Sequence, residues 1–331
     1  MNILVVGGAG YIGSHMVKLL LNSGHHPVVY DDLSTGHKDA ISDAPLVIGR
    51  LQQSDRLSAV FDNYKFDAVM HFASSIEVAE SVRHPAKYYD NNVVGTLCLL
   101  EAMRSANVKR FIFSSTAATF GTPTYTPIDE NHSQHPINAY GRSKLIVETI
   151  LKDYCAAYDL RSVSLRYFNA AGADTDGVLG ERHQPETHLI PLLLQTAAGK
   201  RKSFSVFGTD YPTPDGTCIR DFIHVEDICR AHLLSIQYLA AGGASTDFNL
   251  GNGKGFSVKQ VVSAVERITE TKINISFESP RAGDPPVLIA DSAKAANILG
   301  WYPQRPRLDD IVADAWRWEQ REVDVNSLVM T

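Results

Sequence analysis

Long apolar runs are missing from this chain, and its cysteines are few and scattered. No stretch approaches the roughly 20 consecutive apolar residues that a bilayer-spanning helix needs. The chain opens directly on a strand-like Ile-Leu-Val-Val with no basic flank and no small-residue cleavage site, so no signal peptide is expected. Cys98, Cys155, Cys218 and Cys229 form no Cys-x-x-Cys pair. That argues against a disulfide framework or a structural zinc site and fits a reducing compartment. The histidines are dispersed as well, with His25-His26 reading as solvated loop, and no metal site is expected. Excess charge is also lacking. A net charge of −6 over 331 residues is too mild for a polyanion-binding surface, although it leaves room for a local basic pocket. What remains is an ordinary globular composition, 44% hydrophobic and 21% charged, expected in the cytoplasm with neither nucleic acid nor membrane as partner.

No internal repeat or low-complexity linker divides the chain, but its rhythm changes midway. In the first half, short apolar strands alternate with amphipathic helices. Strands are expected at Ile3–Val6, Val28–Tyr30, Leu46–Ile48, Ala68–Phe72, Phe111–Ser114 and Ser162–Tyr167. Helices are expected after the first strand (Ile12, Met16, Leu19 and Leu20 on one face), over Ala86–Ser105 and over Ala139–Tyr158. This alternation implies right-handed crossovers and a doubly wound parallel sheet of the Rossmann type. After about Asn169, loops rich in Gly, Asp and Pro appear, and Ser257-Val-Lys-Gln260 carries a capping-box pattern. The expected organisation is a dinucleotide-binding domain over 1–168 and a smaller α/β substrate lobe over 169–331, with some segments interleaved.

Gly8-Ala-Gly10-Tyr-Ile-Gly13 follows a strand and opens a helix, the context a dinucleotide fingerprint requires. Glycines permit the tight turn and let backbone approach a pyrophosphate, whose charge meets the helix N-terminus. Asp31 ends the second strand at the offset where an acid holds the adenosine ribose diol, with Asp32 beside it. An acid there repels a 2′-phosphate, which favours NAD over NADP.

Tyr140 and Lys144 lie one turn apart on an expected helix, so their side chains share a face. A phenol titrates near pH ~10 in water. A neighbouring ammonium and the positive ring of an oxidised nicotinamide would favour the phenolate and lower that value.

With these pieces together, the chain resembles the extended short-chain dehydrogenase/reductase family and, within it, the UDP-glucose 4-epimerases. The likeness covers nearly the whole chain. It is carried by Gly7-Gly-Ala-Gly-Tyr-Ile-Gly-Ser-His15, Tyr88-Tyr-Asp-Asn-Asn-Val93, Phe111–Gly121, Tyr140-Gly-Arg-Ser-Lys144 and Arg166-Tyr-Phe-Asn169. Asp210–Thr217 and Arg220-Asp-Phe-Ile-His224 extend it into the second half. The resemblance implies NAD-dependent interconversion of UDP-glucose and UDP-galactose through a 4-keto sugar. Tyr140 is then the base, Lys144 binds the nicotinamide ribose and lowers the Tyr140 pKa, and Thr116 takes the hydroxyl position usually held by serine, with Ser115 as a second candidate. It implies cofactor contacts from Gly7, Gly10, Tyr11, Ile12, Gly13, Asp31, Asp32, Phe72, Asn91, Ser114, Tyr140, Lys144 and Tyr167. Substrate contacts are implied for Asn169, His188, Leu189, Ser205, Phe207, Arg220, Arg281, Asp284 and Leu288, the two arginines suiting a diphosphate. A homodimer through the helices at Ala86–Ser105 and Ala139–Tyr158 is a further implication.

The sequence departs from the family pattern in three places. Arg50 stands where an acid commonly contacts the adenine. Ser74-Ser-Ile76-Glu77 stands where a lysine usually reaches the cofactor. Leu288 replaces a bulky tyrosine found in some relatives, leaving volume for N-acetylated UDP-hexosamines. Two rival enzymes remain: an epimerase of UDP-pentose or UDP-uronate, and a 4,6-dehydratase. The second needs an acidic pair after the hydroxyl residue, where this chain has Ala117-Ala118. A cofactor-binding scaffold without catalysis is the third alternative.

Overall fold

A computed structural model describes residues 1–281 and 284–329, with side chains placed through 321. In chain order the strands are β1 (Asn2–Val6), β2 (His26–Asp31), β3 (Leu46–Ile48), β4 (Ala68–His71), β5 (Arg110–Thr116), β6 (Arg161–Tyr167) and β7 (Asn169–Ala171). They continue as β8 (Phe204–Phe207), β9 (Ile219–Arg220), β10 (Phe222–His224), β11 (Thr246–Leu250), β12 (Phe256–Ser257), β13 (Ile275–Glu278) and β14 (Val287–Leu288). The helices are α1 (Tyr11–Asn22), α2 (Ser54–Asn63), α3 (Val78–Arg83), α4 (Pro85–Tyr88), α5 (Gly95–Ser105) and α6 (Ala139–Tyr158). After them come α7 (Leu189–Ala197), α8 (Val225–Ala240), α9 (Val258–Thr269), α10 (Ala293–Leu299) and α11 (Leu308–Val329).

Seven strands form one sheet in the order β11-β6-β5-β4-β1-β2-β3, every pairing parallel. Parallel strands are covered on both faces, which is why Ile3–Val6 and Ala68–His71 read as unbroken buried runs. One face is packed by α1 and α8, through Met16, Val17, Leu20, Ile228, Ala231 and Ile236. The other is packed by α2, α5 and α6, through Leu57, Phe61, Leu99, Met103, Val147 and Leu151. The chain winds outward from β1 to β3, then crosses to β4 and winds the other way. Ligand-binding crevices open at such a reversal, outside the carboxyl ends of the strands.

The second half builds three small sheets, β10-β7, β12-β9-β14 and β13-β8, over a core shared by α7, α9 and α11. Helix α9 opens on Ser257 and Gln260, each side chain bonding the other's backbone. One element differs from the expected helix at Ala86–Ser105. The run is helical, but Tyr89–Val94 between α4 and α5 is a π turn. No described helix is long and apolar enough to cross a membrane.

Candidate active site

At the β1–α1 turn the glycines have separate jobs. A Cβ on Gly13 would stand 2.1 Å from the Gly7 carbonyl oxygen, so this glycine lets α1 sit against the turn. A Cβ on Gly10 would meet no other protein atom closer than 3.5 Å; its face is open. Gly10 is also the N-cap of α1, with no side-chain cap and no acid in the first turn. The positive helix end is therefore left to an external anion. A cavity lined by Gly10, Tyr11, Ser14, Thr35, His37 and Arg182 fronts it. Glu181 and His183 line it too, and the open N-terminus of α1 is the part that fits a dinucleotide pyrophosphate.

Asp31, at the end of β2, braces the same turn. Its carboxylate accepts from the Ala9 amide at 2.9 Å and the Leu33 amide at 2.8 Å. Burial raises its pKa, and those two amides oppose the shift. Asp32 accepts from the Ser34 amide, and Arg50, standing in the acid's place, lies 3.7 Å from Asp32. Tyr11 donates to the Gly172 carbonyl at 2.7 Å, tying the turn to the second half. Ile12 offers its carbonyl to Cys229 in α8.

The catalytic candidates meet at the ends of β4, β5 and β6. Asn138 caps α6 by accepting from the Gly141 amide at 2.8 Å. A Cβ on Gly141 would stand 2.4 Å from the Ala118 oxygen, so α6 begins hard against the segment after Thr116. Tyr140 is half-buried there, beside the Thr116 hydroxyl. Burial raises the phenol pKa above its ordinary value while Thr116 pulls the other way. The lowered value expected of Tyr140 belongs to the site with the oxidised nicotinamide beside it; in the chain alone burial outweighs the Thr116 hydroxyl. Lys144 lies one turn further along α6. Its ammonium donates to Ser74 Oγ at 2.6 Å and to the Ser114 carbonyl at 2.8 Å. Burial pushes Lys144 down to about 7, against the opposing charge of Glu148, so its own positive charge is not secure.

Several supporting residues have no role assigned to them from the sequence. Ser74 replaces the usual lysine segment and receives Lys144 directly. Asn92, inside the π turn, donates to Ser143 Oγ at 3.0 Å and to the Ser75 carbonyl at 3.1 Å, and accepts from the Ser75 amide at 2.8 Å. Asn91, the expected cofactor residue, only donates to Asn92 at 3.1 Å. His232 of α8 meets Ser114 Oγ at 3.1 Å and lies between the Phe72 and Tyr167 rings, 4.7 and 6.3 Å from their centroids. Tyr167 is itself pushed up by burial. Below Lys144, Glu148 pairs with Arg166 at 2.7 Å, both almost fully buried. Ser74, Asn92 and Arg166 stand in stretches that the sequence singles out without giving them these roles, and Glu148 and His232 stand in none, because each acts through a neighbour from a distant element.

Leu288 reaches from the second half of the chain to the end of β5. It packs with Ala117, Phe120, Ile128 and Phe168 while its strand pairs Leu288 with Arg220. Arg220 forms an ion pair with Asp284, and Arg281 lies 4.1 Å from the Phe207 ring centroid. Ser205, on the same strand as Phe207, shares a hydrogen bond with Ser276. Asn169 holds the Asp221 carbonyl through its amide at 3.0 Å, just past β6. His188 caps α7 and Leu189 begins it.

A doubly wound sheet with an open glycine turn and a Tyr-Lys-Thr cluster at its carboxyl edge defines an NAD-dependent nucleotide-sugar enzyme of the extended short-chain dehydrogenase/reductase type. The profile of the NAD dependent epimerase/dehydratase family matches residues 3–251, and the chain belongs to that family. Among its relatives, a UDP-glucose 4-epimerase of Rhizobium meliloti (strain 1021) is 51% identical over 320 residues, 97% of each chain. The crystal structure of UDP-glucose 4-epimerase from Brucella ovis in complex with NAD has a TM-score of 0.93 at 51% identity, covering 95% of this chain and 97% of that one. The UDP-Glc/GlcNAc 4-epimerase of Campylobacter jejuni has a TM-score of 0.85 at 45% identity, covering 97% and 99%.

Proposed function

We propose that this protein is an isomerase that interconverts UDP-glucose and UDP-galactose, with NAD as its cofactor. The observation that carries the reading is the meeting of Tyr140, Thr116 and Lys144 beside the glycine turn. When bound, NAD would supply a reversible hydride acceptor for C4 of the hexose. Gly7, Gly10, Tyr11, Ile12 and Gly13 would hold the pyrophosphate region, Asp31 and Asp32 the adenosine ribose, and Phe72, Asn91, Ser114 and Tyr167 the nicotinamide side.

Tyr140 takes the proton of the C4 hydroxyl and gives it back, and Thr116 bridges Tyr140 and the sugar oxygen. Its hydroxyl both donates and accepts, so it can relay a proton in either direction. Lys144 orients the nicotinamide ribose and, when charged, favours the phenolate. Arg220 and Arg281 grip the diphosphate, with Asn169, His188, Leu189, Ser205, Phe207 and Asp284 completing the nucleotide site. The hexose must turn over between hydride transfers, so the nucleotide is held firmly and the sugar loosely. Leu288 leaves room for an N-acetyl group, which extends the reading to UDP-GlcNAc and UDP-GalNAc. The division into a cofactor lobe (1–168) and a nucleotide-sugar lobe (169–331), a location in the cytoplasm, and a homodimer through the helical run to Ser105 and α6 belong to the same reading. Val94 and Ile146, exposed on that run and on α6, support the dimer.

Incubation with UDP-galactose tests this reading, following product identity and cofactor absorbance together. UDP-glucose without net NADH is expected. A stable 4-keto-6-deoxy product would replace the reading with a dehydratase.

A further inference from the structure

The loop between β7 and α7 gathers two imidazoles and two carboxylates, of which the substrate reading uses only His188. Ligating atoms of Glu181, His183 and His188 lie within 4.8 Å of one another. The Glu181 carboxylate stands between the two rings. One oxygen bonds His183 Nδ1, and the other lies 3.9 Å from His188 Nδ1. Glu186 reaches the same His188 nitrogen at 2.7 Å. Both carboxylates are sequestered, with side chains 8% and 6% exposed. Backbone fixes the arrangement from within: the His183 amide donates to Glu181 at 2.8 Å, and the His188 amide to Glu186 at 2.7 Å.

Two buried carboxylates in one loop call for positive charge, because an uncompensated buried ion costs several kcal/mol, and the two imidazoles they bond are the groups at hand to share it or to bind a cation with them. Among the described residues no lysine or arginine pairs with either one. Arg182, between Glu181 and His183, turns away to Asp39, reaching it with two bonds of 3.0 Å.

We propose that Glu181, His183 and His188, with Glu186 as fourth ligand, form a site for a divalent transition metal ion of the zinc class. Imidazole with carboxylate suits Zn²⁺ or Co²⁺, whereas Ca²⁺ and Mg²⁺ favour all-oxygen sets. Zinc bonds of about 2.0–2.2 Å in a tetrahedron place ligand atoms roughly 3.4 Å apart. The Glu181, His183 and His188 atoms, all within 4.8 Å of one another, would contract by up to roughly 1.4 Å to meet that geometry. Such a site escapes the search for paired cysteines, since the spacing Glu-x-His-x-x-Glu-x-His lies in one loop and uses no thiolate.

The loop borders the reaction site. Glu181 and His183 line the cavity fronting Gly10 and Tyr11, and His188 leads into Leu189. Resting on the proposed function, metal coordination would withdraw His188 from the nucleotide, so Zn²⁺ acts as an inhibitor that raises KM for UDP-galactose more than it lowers kcat.

The test is titration of the holoenzyme, freed of adventitious metal, with Co²⁺. One equivalent should produce ligand-field absorption bands that Zn²⁺ displaces. Substitutions His183→Gln and Glu181→Gln should each weaken Co²⁺ binding by roughly 100-fold, removing a ligand being at least as damaging as removing its support. Metal-free thermal unfolding of the variants verifies that they are folded. Absence of bands in the wild type, or bands that survive both substitutions, overturns the site. The bands do not depend on turnover, so loss of the site and loss of the epimerase reading give different results.

Discussion

Burial and charge act against each other at Lys144. In the folded chain burial brings it to about 7, while the unfolded chain keeps the ordinary lysine value near ~10.4. Between those values the unfolded state binds the extra proton, so the contribution of this group to stability rises with pH. Its cost is full below pH ~7 and fades as pH approaches ~10. In protein stripped of nucleotide, Lys144→Met should therefore stabilise most at pH ~6 and progressively less towards pH ~9, read as the difference in urea midpoint. A gap that does not vary with pH would show that Lys144 titrates normally. Tyr140 belongs to the same scale. Tyr140→Phe removes the proton acceptor without changing the shape of the ring. UDP-galactose turnover should fall by about 10²–10⁴-fold, with NAD content of the purified protein retained. Loss of NAD in proportion to activity would leave cofactor holding as the role of Tyr140, without the proton transfer.

At the scale of elements, α6 carries Tyr140, Lys144 and Glu148 at successive turns of one face. Burial alone would raise the Glu148 carboxyl, yet Arg166 holds it below the ordinary range. Its oxygens also accept from Ser115 at 2.6 Å and Gln134 at 3.0 Å. Glu148→Gln leaves a buried guanidinium with Asp247 alone and should cost about 3–5 kcal/mol in urea unfolding. It should also move Lys144 further below 7, because Glu148 is the charge that opposes its burial. The glycine turn gives a second test. Gly13→Ala forces a Cβ into the Gly7 backbone and should lower the melting temperature, whereas Gly10→Ala should preserve folding and weaken NAD. Equal losses of stability would mean that both glycines serve packing alone. The glycine turn and first-half strands were legible because parallel strands read as apolar runs and the turn has a fixed spacing. The π turn was not, since Tyr89–Val94 has ordinary helical composition and only the position of Asn92 among Ser75 and Ser143 reveals its use. The Tyr140–Lys144 spacing was visible, but the burial that raises Tyr140 and lowers Lys144 in the chain alone comes from neighbours the spacing does not contain.

The whole molecule is joined by more than the mouth of the site. Strand β11 pairs with β6 in register, Phe248 opposite Leu165. Phe248, Leu250, Ile228 and Ile236 fill the same core as Val5, Val29 and Met70. Trp301, fully buried, donates to the Asp227 carbonyl at 2.9 Å and fastens the segment after α10 to α8. A rhythm change near Asn169 is visible in sequence because the alternation of strand and helix stops there. The return of β11 to the first sheet is a long-range pairing that local periodicity does not encode. It has a consequence for folding. A fragment ending at residue 168 would leave β6 as an exposed edge and strip α8 from one apolar face of the sheet. Residues 1–168 alone should therefore give a compact state that retains far-UV helix signal, loses near-UV aromatic signal and binds a hydrophobic dye. Co-expression with 169–331 should restore the near-UV signal. A soluble 1–168 fragment with a sharp urea transition would make the first half an independent folding unit and reduce β11 to an accessory strand.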